Sequence, residues 1–339
     1  MKRHALSRRD LVRAGGALTA TAVLGSLSGC LGFFDSDDDE ELGMVEHVPF
    51  GTAYAVHADV ASVLADEQLR GAFDETLPAD VGPYADAESV TEVLDRAEDD
   101  TGLDVRAVSE TLSFGGLALD DAATIVWADW DIADVTATLG EQVEIEEETH
   151  RDRTVYATDN AWTCELESGV FVTGAPSTTR AAIDLWVGAG QGASDRLTDA
   201  YQASSPGHVR YGFDVPPEIA AAVPGATVNE PLVEDIDYGY GSIYADGTER
   251  VAELTFQAAD SSTAETLENA LFTVVTLLGQ EGGEIELPRT VESVLEAGIE
   301  DIEVDRDGEI VTVTYRNEPV HLGPLLVGLV GELWTILDL

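Results

Sequence analysis

Lysine is almost absent from this chain: Lys2 is the single one, and Lys+Arg total 17 against 66 Asp+Glu, a formal charge of -49. A binder of nucleic acid needs a basic patch to neutralise phosphates, so that class of partner is excluded. Cysteine is scarce too, with only Cys30 and Cys164. No Cys pair, no H-E-x-x-H and no two histidines at metal-ligand spacing occur among His47, His57, His150, His208 and His321. The nucleophile elbow G-x-S-x-G, the phosphate loop and the dinucleotide fingerprint are missing as well. No catalytic residue, metal ligand or cofactor is therefore assigned. After residue 30, no run is long and apolar enough to span a bilayer.

What is present begins at the N-terminus. Ser7-Arg8-Arg9-Asp10-Leu11 leads into a weakly apolar stretch, Ala14 to Leu27, and then Leu27-Ser28-Gly29-Cys30. Basic residues, an apolar stretch and small residues before a cleavage point make a targeting segment, which is kept out of fold reasoning. The Arg8-Arg9 pair points to the twin-arginine route, an address read by export machinery. Cleavage before Cys30 would leave that cysteine free to carry a lipid. At about 0.8 kcal/mol per buried methylene, two chains hold stably where one is marginal. The following Asp35-Ser36-Asp37-Asp38-Asp39-Glu40-Glu41 repels itself and reads as an extended tether. It lacks the Gly and the ligand spacing of a calcium loop.

Five basic residues and one acid precede Cys30, leaving 12 and 65 after it, a charge of -53. Molar salt shortens the Debye length to about 3 Å and screens the resulting repulsion. Extreme charge of this kind keeps halophile proteins soluble. Together, Ser7-Arg8-Arg9, the Leu27-Ser28-Gly29-Cys30 lipobox, the acidic tether and the near absence of lysine resemble the uncharacterised twin-arginine-exported lipoproteins of haloarchaea. That resemblance implies a lipoprotein on the outer face of the cell membrane, in an extracytoplasmic setting, and implies no activity.

Four segments follow: 1–29 as signal peptide, 30–48 as lipidated cysteine and acidic tether, and two modules, 49–195 and 206–339. Residues 189–206 read as the junction between them. In each module the order is strand, helix, hairpin, helix, strands, helix. Hairpins are expected around Asp120-Asp121, Asp246-Gly247 and Asp307-Gly308. Capping boxes at Ser89/Glu92 and Ser262/Glu265 start two helices. An amphipathic helix bearing Leu325, Leu329, Leu333 and Leu337 closes the chain. The expected fold is α+β, two degenerate copies of an antiparallel-sheet unit with helices packed on one face.

The tryptophans Trp127, Trp130, Trp162 and Trp186 read as core, and Cys164 as a buried structural thiol. One stretch offers a ligand face. Strand alternation puts Tyr238, Tyr240, Ser242 and Tyr244 on one side of Asp237–Tyr244, opposite Gly239 and Gly241. Such a tyrosine row could stack on a sugar or peptide, or else be an aromatic core face. The functional expectation is a membrane-anchored, non-catalytic binding or scaffold module that meets an extracellular protein or polymer. The alternative is an exported hydrolase whose carboxylate site carries no marker.

Overall fold

The structure is a computed structural model that describes residues 43–76, 89–116, 121–214, 235–278 and 301–317. The export signal, Cys30, the tether and the expected C-terminal helix lie outside the described residues.

Twelve strands form one antiparallel sheet. They are β1 (Tyr54–Asp59), β2 (Val108–Gly115), β3 (Ala122–Ala128), β4 (Glu146–His150), β5 (Arg153–Ala157) and β6 (Trp162–Glu167). Then come β7 (Val170–Gly174), β8 (Val209–Asp214), β9 (Ile236–Asp246), β10 (Glu249–Ala258), β11 (Ile302–Asp307) and β12 (Ile310–Asn317). The order across the sheet is β11-β12-β10-β9-β8-β1-β2-β3-β7-β6-β5-β4. The first strand, β1, lies inside the sheet and pairs with the mid-chain strand β8 from Tyr54↔Phe213 to Ala58↔Val209. The class α+β with a large antiparallel sheet is therefore the fold.

Seven helices are described: α1 (Val60–Ala65), α2 (Glu67–Thr76), α3 (Val90–Thr101), α4 (Ile132–Gln142), α5 (Pro176–Trp186), α6 (Asp195–Ala203) and α7 (Ser261–Leu278). Local chemistry sets their starts. Asp59 caps α1 by accepting the Ser62 amide at 3.0 Å, and Ser89 caps α3 by accepting that of Glu92 at 3.1 Å. For α7 the cap is Asp260, which accepts the Ser262 and Thr263 amides at 2.9 and 2.8 Å, in place of the expected Ser262/Glu265 box. The stretch read as a junction holds α6, whose Leu197, Ala200 and Tyr201 are buried.

Helices cover both faces, which corrects the expected one-sided layer. Adjacent residues on a strand point to opposite faces. Ile125 and Val172 join Ile183 of α5 and Leu197 and Tyr201 of α6 in the largest core cluster. The next residue along β3, Val126, joins Val135 of α4 and Phe171 in another. By the same register, Phe213 and Phe256 face the α4 side, where α7 packs on them through Ala264 and Leu267. So α5 and α6 share one face, and α4 and α7 share the other.

The turns use backbone that glycine supplies cheaply: Gly247 and Gly308 sit at φ 63° and 64° in the β9–β10 and β11–β12 hairpins. The β4–β5 turn instead places Arg151 and Asp152 at φ 50° and 61°. The outermost strands are short and acidic. Glu146, Glu147 and Glu148 of β4 are exposed, as are Glu303, Asp305 and Asp307 of β11.

Candidate functional site

Tyr238, Tyr240, Ser242 and Tyr244 do share one face of β9, and it is the face on which α6 sits. The opposite face explains the glycines. Phe213 lies across from Gly239 and Tyr211 across from Gly241, and a Cβ at either glycine would run into those aromatic rings. Glycine here makes room for a neighbouring strand's ring, not for a helix. At Gly212, by contrast, a Cβ would meet the Tyr201 amide nitrogen at 2.7 Å, so that glycine seats α6 against the sheet.

The tyrosines are half-buried. Tyr238 and Tyr240 have ring centroids 6.1 Å apart, tilted by 41°. Tyr244 donates its hydroxyl to Glu253 Oε1 at 3.0 Å. Burial and then the Glu253 contacts push the Tyr244 hydroxyl up to about 12. Burial foremost, helped by Asp199 and Asp237, also raises Tyr238, and burial raises Tyr240. All three are neutral donors at any ordinary pH.

The register extends this face across two more strands. Glu253, Thr255 and Gln257 of β10 stand beside Ser242, Tyr240 and Tyr238, and Thr314, Thr312 and Ile310 of β12 stand beyond them. Thr255 and Thr312 hydroxyls are 3.2 Å apart. At one end Arg196 of α6 ties down Asp237 at 2.8 Å and Asp214 at 3.6 Å. The result is a strip of three half-buried tyrosines beside Glu253, Thr312 and Thr314, with Ser242 and Thr255 buried within it.

A cleft of about 480 Å³ lies elsewhere, where β3 runs into α4. Trp127, Trp130, Asp129, Asp131 and Asp134 line it, with Ser109 and Ser168 at its rim. Trp130 is fixed by donating its indole N–H to the Asp104 carbonyl at 2.9 Å. Of the tryptophans expected in the core, Trp162 is buried, and Trp127, Trp130 and Trp186 pack partly buried against the core clusters. Trp127 and Trp186 flank His47, which stacks on Trp186 at 4.4 Å. Burial lowers the His47 pKa against the pull of Glu46 and Glu167.

Among the described residues no group of three His, Cys, Asp or Glu side chains is placed to hold a metal ion. His57 pairs with Glu110 at 3.1 Å, and His150 with Asp184 at 2.8 Å. Cys164 has no exposed surface, and burial pushes its thiol up to about 11. That makes it a poor nucleophile. Cys30, Arg8 and Arg9 lie outside the described residues.

Sequence reasoning missed a buried ion pair. Asp66, at the α1–α2 corner, accepts from Arg250 of β10, and their side chains are 5% and 3% exposed. Asp66 Oδ1 also accepts the amides of Gln68 and Leu69 at 2.9 and 3.1 Å. Burial works to raise the Asp66 carboxyl, but the Leu69 amide and Arg250 outweigh it and hold it below the usual range. Beside them His208 is 1% exposed, and burial together with Arg250 brings its pKa down to about 4. No local pattern marks a pair whose members are 184 residues apart.

No family model matches the chain, and no curated protein does. Among solved structures it is similar to three crystal forms of TP0453. Form I gives a TM-score of 0.44 at 9% identity over 84% of this chain and 96% of that one. Form III gives 0.46 at 10% over 83% and 96%. Form IV gives 0.47 at 8% over 89% and 99%. At these values the likeness transfers no function to the chain.

Proposed function

We propose that this protein is a lipid-anchored, non-catalytic binding module held outside the membrane of a halophile. Cys30 carries the anchor and Arg8-Arg9 addresses the chain to the twin-arginine machinery. The acidic stretch after Cys30 spaces the folded body from the lipid. The body itself is read as two degenerate copies of one unit. In support, the strand order outward from the centre is β8-β9-β10-β12-β11 on one side and begins β1-β2-β3-β7-β6 on the other, where β5 and β4 add two further strands at the edge. In each, a helix follows the third strand, α4 after β3 and α7 after β10.

The observation that carries the binding reading is the row of half-buried Tyr238, Tyr240 and Tyr244 with Glu253 and Thr312 on the same face. Aromatic edges and neutral hydroxyls attract a partner by stacking and hydrogen bonding, which molar salt does not screen. The partner is an extracellular protein or polymer that offers flat, hydroxyl- or amide-rich surface. The test is pull-down of the native lipoprotein from membranes in high salt, repeated with a Tyr238→Ala, Tyr240→Ala, Tyr244→Ala variant. A folded variant that loses the captured partner supports the reading, and one that keeps every partner removes this face. Cys30→Ser should release the protein or leave it unprocessed, and Arg8→Lys with Arg9→Lys should block export.

The second reading, an exported hydrolase, is favoured by the cleft that gathers Asp129, Asp131 and Asp134. Hydrolysis of a polymer by the wild type that Asp131→Asn abolishes would establish it.

A further inference from the structure

In a chain this acidic, arginines find partners. Among the described residues, Arg96, Arg106, Arg151, Arg196, Arg250, Arg306 and Arg316 all form ion pairs with carboxylates. Arg153 and Arg210 donate to backbone carbonyls, and Arg180 lies over the Trp162 ring at 4.6 Å. Arg70 of α2 is different. It is half-buried, and its Nε is buried with no hydrogen-bond partner among the described residues. Leaving a guanidinium donor dry and unmatched is costly unless something supplies an acceptor.

Arg70 lines a cleft of about 310 Å³ between α1, α2, α3 and the turn Val105–Ala107. The rest of the lining is Ala61, Leu64, Ala65 and Leu94, with Thr91 and Arg106 at the side. Arg106 is already occupied by Asp95, Glu98 and Asp104. The cleft thus sets a guanidinium whose Nε has no partner among the described residues against an aliphatic wall, at the small end of the volumes that take organic ligands.

We propose that this cleft binds a single-chain carboxylate amphiphile, with its head on Arg70 and its aliphatic tail against Leu64 and Leu94. Charge complementarity argues for this occupant. The guanidinium fork matches a carboxylate by two parallel hydrogen bonds, and a contact pair inside a cleft keeps its strength where salt has screened the long-range field. The aliphatic wall supplies the burial that a headgroup alone lacks. A cationic or purely hydrophilic ligand would leave either the guanidinium or the wall unmatched.

The experiment is calorimetric titration of the full chain in molar salt with octanoate, acetate and octylammonium. Octanoate should bind saturably at one site per chain. Octylammonium and acetate should each bind at least ~10-fold more weakly, a difference of about 1.4 kcal/mol. Arg70→Gln should weaken octanoate by a similar ~10-fold factor. Ala65→Glu, at an exposed position on the cleft wall, should abolish binding with the melting temperature unchanged. The proposal is overturned if the folded wild type shows no saturable octanoate binding, if octylammonium binds as well, or if Arg70→Gln binds octanoate unchanged.

Discussion

On the β2–β7 side of the sheet, Ile183, Leu197, Cys164, Leu166 and Val172 have no exposed surface and belong to one large cluster under α5 and α6. On the β9–β12 side, the cluster under α7 has five buried members, and Leu267 and Ile236 keep 7% and 5% of their surface. Seven strands run outward from the centre on the first side and five on the second, and among the described residues the deeper core is on the first. Core depth governs how much burial offsets chain entropy, so stability concentrates in the first side. The second side carries the row of half-buried Tyr238, Tyr240 and Tyr244. Asp66 on the first side and Arg250 on the second clasp the two together.

The largest expected effect is loss of salt. Dialysis from molar to millimolar salt exposes the post-Cys30 charge of -53 to its own repulsion and should unfold the chain. Amide exchange should rise first in α7, β11 and β12, and last in β6 and β7. A single simultaneous rise would remove the difference between the sides.

Next is the clasp. Arg250→Met alone leaves the Asp66 carboxylate buried and unpaired, a loss of about 3–5 kcal/mol. Adding Asp66→Leu should recover much of that loss, because both desolvation costs then vanish. Thermal melts of the single and double variants decide it. If the clasp couples the two sides, the single variant melts in two steps.

His208 gives a pH dependence of about 3 kcal/mol, from its drop to about 4 from 6.5. Between those values the unfolded chain takes up a proton that the folded chain refuses. Stability therefore falls as pH goes from 6.5 to 4, and above 6.5 the group contributes no slope. His208→Asn should flatten the wild-type slope in that window in denaturant titrations. Asp66 acts lower, since stability tied to its depressed carboxyl is lost only as pH falls below about 4.

The smallest test compares the cores directly. Ile183→Ala should cost about 4 kcal/mol and Leu267→Ala about 2 kcal/mol, since a sealed site cannot collapse around its cavity. Equal losses would mean that the two cores are equally tight.

Local signals in the sequence were enough for the hairpins at Asp246-Gly247 and Asp307-Gly308, because turn chemistry acts over a few residues. The strand alternation around Tyr238 was legible for the same reason. Less legible was β4, expected near Val143–Glu147 and found at Glu146–His150. Its turn is made by Arg151 and Asp152, which carry no glycine signal. The polar sequence of α6 concealed a helix whose Leu197, Ala200 and Tyr201 anchor it. The purpose of Gly239 and Gly241 depends on Phe213 and Tyr211, more than twenty positions away. Arg70 reads as one more surface cation until its buried Nε is seen to lack a hydrogen-bond partner among the described residues.

The acidic outer strands have a consequence for colloidal behaviour. Among the described residues β4 and β11 have no strand beyond them and each presents a ladder of amides and carbonyls, and high salt favours association by weakening repulsion between molecules. Glu146, Glu147 and Glu148 at one end, and Glu303, Asp305 and Asp307 at the other, would each have to shed bound water before a second molecule could zip alongside. That dehydration penalty survives where charge repulsion is quenched. Edge-to-edge polymerisation along these two strands is therefore disfavoured even where salt is high.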